Sequence, residues 1–187
     1  MQSKSRLYQR MLPVLLLFAM MQVVGQGTDA GKKAPATWEH DHKHLVGLGF
    51  GFSFIPTGNE LGDNDARGLY APTVGLDYFY RFNRRWGAGF LGALELDHYV
   101  VTDDQVEREN ALNMTLVGMF SATRHLDFFL GGGVEVEQHN NLGVFRLGTQ
   151  YSIDVGKHWA LIPKLYFDIK GNYNTWNLAM SFARKLQ

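Results

Sequence analysis

From His44 onward the chain alternates: apolar residues recur at every second position in eight separate stretches, the period of a strand with two unlike faces. The first stretch sets Val46, Leu48, Phe50, Phe52 and Phe54 against Gly47, Gly49, Gly51 and Ser53. The second sets Val74, Leu76, Tyr78, Tyr80 and Phe82 against Thr73, Gly75, Asp77 and Arg81. Six more follow over 86–96, 112–120, 126–136, 145–153, 159–169 and 176–182. Segments of about ten residues match the length at which a tilted strand crosses a bilayer. Short turns at Asn83/Arg84, Thr123/Arg124 and Val155/Gly156 alternate with polar loops over 56–68 and 102–110 and with short polar connections at 140–141 and 171–174. The pattern predicts an all-β chain, an eight-stranded antiparallel up-and-down transmembrane β-barrel over 44–187.

Which face points inward follows from size. The interior of an eight-stranded barrel is only just wide enough for side chains to fill it. The bulky residues lie on the apolar face, whereas glycines 47, 49, 51, 75, 87, 89, 131, 133 and 148 lie on the polar one. Glycine is also abundant, 21 of 187 residues, against an average of roughly 7%. The glycine-rich polar face therefore goes into the cramped lumen, and Trp86, Trp159 and Trp176 fall near strand starts, where an interfacial girdle sits. A soluble periplasmic ligand-binding barrel, with the apolar face inward, is the competing phase. Pro163 lies mid-strand and marks either a bulge or one missing ladder bond.

The first 26 residues read as a secretory signal peptide: Lys4, Arg6 and Arg10, then an apolar run over 11–24, then Gly25-Gln26-Gly27. That run is shorter than the ~20 residues a membrane helix needs. Residues 27–43 form a polar, flexible lead-in containing histidine. Lys plus Arg and Asp plus Glu balance at 18 each and Cys is absent. Nucleic acid is thus not an expected partner, and disulfides and thiolate sites are excluded. The zero net charge conceals a split: acids crowd the long loops (Glu60, Asp63, Asp65, Asp103, Asp104, Glu107, Glu109), and bases the short-turn end (Arg84, Arg85, Arg124, Lys157, Arg184, Lys185).

The inward face carries the candidate site, a lumen charge network of Asp77, Arg81, Glu95, Asp97, Glu135, Glu137, Arg146, Lys164 and Asp168, with Lys170 a further cation. Glu95, Glu135 and Asp168 each follow a strand-opening residue (Trp86, Leu126, Trp159) by nine positions. Nine steps at about 3.3 Å, tilted about 40°, place all three at one height of some 23 Å. Folding the hairpin about Asn140 sets Glu135 opposite Arg146. Carboxylates so confined must be paired or protonated. A structural plug is the expected role, with a narrow ion channel as the alternative. His40, His42 and His44 project to one side if extended and form a speculative site for a divalent metal. No cofactor and no enzyme is predicted: Ser53, Ser121, Ser152 and Ser181 face the lumen, where no lipid carbonyl reaches, and no phosphate loop or HExxH occurs.

From 44 to 186 the pattern resembles the small eight-stranded outer-membrane barrels of the type formed by the membrane domain of outer-membrane protein A. The stretches GLDYFYRFNRRWGAGFLGALELD (75–97) and TWNLAMSFARKL (175–186) carry the likeness. It implies residence in the outer membrane of a Gram-negative bacterium, contact with outer-membrane lipid and lipopolysaccharide, and insertion by the barrel-assembly machinery. Leu186 stands where such proteins usually end on an aromatic, which weakens the insertion signal. Short turns would face the periplasm and long loops the exterior.

Overall fold

The structure is a computed structural model that describes residues 40, 42–60, 68–101, 106–137 and 141–186. The expected signal peptide (1–26), the lead-in up to residue 39 and the loop segments 61–67, 102–105 and 138–140 lie outside the described residues. The strands are β1 (His44–Ile55), β2 (Gly58–Glu60), β3 (Leu69–Arg81), β4 (Trp86–Glu95), β5 (His98–Val101), β6 (Val106–Glu109), β7 (Leu112–Ser121), β8 (Leu126–Val136), β9 (Leu142–Tyr151), β10 (Ile153–Asp154), β11 (Trp159–Lys170) and β12 (Asn174–Leu186). Eight of them, β1, β3, β4, β7, β8, β9, β11 and β12, pair antiparallel in that order, and β12 pairs back onto β1 to close the barrel.

The registers fix its shape. Stepping from partner to partner leads from His44 through Tyr80, Ala88, Gly118, Leu130, Leu147, Phe167 and Trp176 to Phe54, ten residues further up the starting strand (44 to 54). That shear, spread over eight strands, gives a tilt of about 41° from spacings of ~3.3 Å along a strand and ~4.8 Å between strands.

The faces follow the alternation. Leu48, Phe50, Leu116 and Leu130 are each more than 60% exposed on the outside. Among the described residues, buried polar or charged residues number 23 against 19 buried hydrophobics, the reverse of a water-soluble interior. Such a continuous apolar exterior far exceeds the patches that soluble proteins expose, so the soluble-barrel phase is excluded and the outer face is a lipid face. The lumen is not polar throughout, however. Phe79, Leu91, Val117, Met119, Phe129 and Ile162 point inward and form an apolar cluster in the short-turn half. Their outward neighbours are apolar too, so sequence alternation does not distinguish them.

Crowding explains the glycines. A Cβ at Gly131 or Gly133 would lie 1.9 Å from a β7 carbonyl oxygen, whereas one at the outward Gly143 would meet nothing within 4 Å. Pro163 interrupts the ladder without a bulge. Lys164 pairs Gln150 and Leu161 pairs Ile153, three residues on along both strands, so one register runs through the gap. The segments read as long loops are partly strands. β2, β5 and β6 form a separate sheet, and Tyr99 and Val101 bury against Ile55, Ala71, Leu142 and Tyr173.

Gly133→Val is expected to abolish folding to a heat-modifiable barrel, because its Cβ must displace backbone. Gly143→Ala should leave the unfolding free energy unchanged to within about 0.5 kcal/mol. Gel mobility of unheated samples and urea titration check both.

Candidate functional site

Inward positions on the tilted strands bring opposite charges together on three levels. At the short-turn end Arg81 on β3 grips Asp127 on β8 with both terminal nitrogens, Nη2 to Oδ2 at 2.9 Å and Nη1 to Oδ1 at 3.3 Å. Ser121 Oγ donates to the same Asp127 Oδ1 at 2.6 Å and Gln150 Nε2 to Oδ2 at 3.1 Å. His40 Nε2 accepts from Arg81 Nη1 at 2.9 Å, which ties the residues before β1 to this level.

At mid-height Lys164 on β11 pairs with Asp77 on β3, and Ser181 Oγ donates to Asp77 Oδ2 at 2.5 Å. Four residues further toward the loops on β11, Asp168 is bound bidentately by Arg146 on β9, Nε to Oδ1 at 2.7 Å and Nη2 to Oδ2 at 2.8 Å, with the guanidinium 4.3 Å above the Tyr166 ring. Planar fork-on-carboxylate geometry of this kind is the strongest form of ion pair. A void beside it, lined by Asp77, Arg146, Lys164 and Tyr166, measures about 20 Å³, room for about one water.

The loop-end level is the densest. Lys170 Nζ lies 3.2 Å from Glu95 Oε1, contacts Glu135 Oε2, and donates to Tyr173 OH at 3.1 Å. Tyr99 OH donates to Glu95 Oε2 at 2.6 Å and Tyr173 OH to Glu135 Oε1 at 2.7 Å, and the two hydroxyls are 3.0 Å apart. Asn113 Nδ2 donates to Glu95 Oε1 at 3.0 Å. Arg108, fully buried on β6, reaches Glu135 at 3.3 Å and Glu137 at 3.5 Å. Burial, with Glu95 close by, pushes the Tyr99 hydroxyl well above the usual phenol range, and burial raises Tyr173 against the opposing pull of Lys170. Both therefore stay protonated and act as donors.

Of the sequence-derived set, Asp77, Arg81, Glu95, Glu135, Glu137, Arg146, Lys164 and Asp168 are buried in the lumen. Glu95 and Glu135 meet on one ammonium, and Asp168 connects to them through Asn177 and Ser53. Asp97 does not join: it is half-buried, and its Oδ1 accepts from the adjacent His98 N–H at 2.8 Å. Nor does Glu135 face Arg146. The hairpin turns nearer its β8 end, so Glu135 faces Leu142 and Arg146 faces Asp168 across β9 and β11. A bend at Lys43 precedes β1 and separates His44 from the other two histidines, whereas His40 and the buried His42 stay together with ring centroids 5.8 Å apart. His44 turns outward onto Tyr78 OH at 2.8 Å, whereas His40 bonds Arg81 in the lumen. Among the described residues no group of three His, Cys, Asp or Glu is placed to hold a metal ion. Asp127 was legible from its inward phase. Arg108, Tyr99 and Tyr173 lie where the alternation lapses, and no local signal marks them.

Outside, aromatics gather at both ends. Trp86 lies on Phe120 and Trp159 stacks on Phe182 at 4.6 Å near the turns, and Phe54 meets Tyr70 and Phe167 meets Trp176 near the loops. Two aromatic girdles around an apolar wall are what the two membrane interfaces select. The chain is a small eight-stranded transmembrane barrel. No family model and no curated protein matches it. Among solved structures it is similar to Ail, the attachment invasion locus protein of Yersinia pestis. That match has a TM-score of 0.48 at 12% identity and covers 78% of this chain and 99% of that one. The outer membrane protein OprG from Pseudomonas aeruginosa matches at 0.46 and 13% identity, covering 79% and 98%. Neisserial surface protein A matches at 0.47 and 10%, covering 76% and 97%.

The protonated tyrosines set an alkaline limit. A group whose pKa is raised on folding supports the native state below its unfolded value, about 10 for tyrosine, and that support is lost as pH rises through the folded value. Barrel stability should therefore fall above about pH 10. Tyr99→Phe/Tyr173→Phe should show a shallower fall from a lower neutral-pH value. Urea midpoints between neutral and strongly alkaline pH check it.

Proposed function

We propose that this chain is a secreted outer-membrane barrel of a Gram-negative bacterium whose lumen is sealed by its own ion pairs. Its role is then structural in the envelope or adhesive at the surface, not conductive or catalytic. One observation carries the reading: carboxylates and bases on all three levels of the lumen are paired with each other across strands. Ions and substrates would have to break buried pairs to enter. Three lumen serines are likewise engaged, Ser53 with Asn177, Ser121 with Asp127 and Ser181 with Asp77. In this reading the loop end, with exposed Glu107 and Glu109, faces lipopolysaccharide and the exterior.

Cell fractionation with gels of heated and unheated samples tests the location. An outer-membrane fraction with a heat-dependent mobility shift is expected, and a soluble periplasmic protein without the shift contradicts it. Glu135→Ala tests the seal. It strips Arg108 and Lys170 of a shared partner and should cost about 3–5 kcal/mol of stability while leaving planar-bilayer conductance near baseline. A large rise in conductance would favour a gated channel instead.

A further inference from the structure

The three short turns are built alike. Phe82 N–H donates to Trp86 C=O, Ala122 to Leu126 and Val155 to Trp159, each at 2.9 Å. In the first two turns the residue after the closing donor caps the same two amides. Asn83 Oδ1 accepts from the Arg85 and Trp86 N–H groups at 2.9 and 3.0 Å, and Thr123 Oγ1 from those of His125 and Leu126 at 3.2 and 3.0 Å. The third turn reaches the same closure with Gly156 at φ +81°. In every turn the next two residues are basic: Arg84 and Arg85, Arg124 and His125, Lys157 and His158. Different turn chemistry thus presents an arginine or lysine, followed by arginine or histidine, three times around one rim.

The strand-opening residue that follows is apolar and faces outward: Trp86 is 56% and Trp159 39% exposed. The nearest permanent cation stands one residue before Trp86 (Arg85) and two before Leu126 and Trp159 (Arg124, Lys157), within about 7 Å along the chain. That is headgroup depth, since about 5–8 Å on each side separates hydrocarbon from bulk water. Arg184 extends the rim, its guanidinium 5.9 Å from the Trp159 ring. Among the described residues Asp154 opposes it, pairing with Lys185 at 2.6 Å and Arg124 at 3.7 Å, while Arg85 and Lys157 remain exposed.

We infer that the short-turn rim is a docking surface for anionic phospholipid headgroups, whose phosphates it binds in the leaflet facing the turns. The inference rests on the membrane reading above. Arginine and lysine near a charged lipid surface each favour anionic lipid by about fivefold, so three equivalent positions give a ring of selected lipid rather than one tight site.

The full chain, folded into phosphatidylcholine vesicles, is probed with spin-labelled phosphatidylglycerol and spin-labelled phosphatidylcholine, and the motionally restricted fraction at the barrel perimeter is compared. The wild type should favour phosphatidylglycerol by about threefold or more at low salt and lose that preference at about 1 M salt, where screening is complete within ~3 Å. Arg85→Gln/Arg124→Gln/Lys157→Gln should lower the preference, and Arg85→Lys/Arg124→Lys should keep it. If the triple variant fails to fold, the salt dependence of the wild type still decides. Equal fractions for the two lipids in a folded wild type, or a preference insensitive to salt, overturns the inference. No restricted lipid of either kind and no heat-dependent gel shift would instead defeat the membrane reading itself.

Discussion

A strand in hydrocarbon has no water to satisfy its amides, so each must find a partner in another strand. Everything in this molecule follows from closing that ladder with eight strands. The β12–β1 pairing removes the open edges, and a displacement of ten residues round the ring fixes the tilt and the bore. A bore so narrow forces glycine where strands coil tightly inward, as at Gly131 and Gly133, whose positions lack room for a Cβ. Even Pro163 is accommodated at the cost of a local gap while the register runs on unbroken.

The narrow bore also governs the electrostatics. Charges placed inside cannot be solvated one by one, so they are stable only as pairs or shared clusters. The lumen answers in three different ways. Arg81–Asp127 and Arg146–Asp168 use fork geometry, Lys164–Asp77 adds a serine hydroxyl, and Glu95 and Glu135 divide one lysine with the help of two tyrosines. The apolar cluster around Phe79, Met119 and Phe129 fills the short-turn half between charged levels. Polar cross-links and apolar side chains thus share the inside.

The strand phases were legible because alternation is imposed by covalent geometry: once Val46 to Phe54 face lipid, Gly47 to Ser53 have no other place to go. Most of the lumen set came with the phase. Register was less accessible, because it depends on where a hairpin turns. A centre displaced toward β8 gave Glu135 to the Lys170 cluster and Arg146 to Asp168. Burial of Arg108, Tyr99 and Tyr173 depends on β2, β5 and β6 packing over the loop end, a tertiary event that leaves no periodic trace. The bend before β1 likewise separated His44 from His40, which period-2 spacing had placed together.

The central claim, an inside-out barrel in lipid, is tested most directly by site-directed spin labelling along β7. The chain contains no cysteine, so single-cysteine variants from 112 to 121 need no altered background. Labels at Leu112, Met114, Leu116 and Gly118 should collide readily with dissolved oxygen and poorly with a water-soluble nickel complex. Those at Asn113, Thr115 and Val117 should be immobile and shielded from both. Oxygen accessibility with a period of two is the predicted result; nickel accessibility at Leu116, or no periodicity at all, would contradict it.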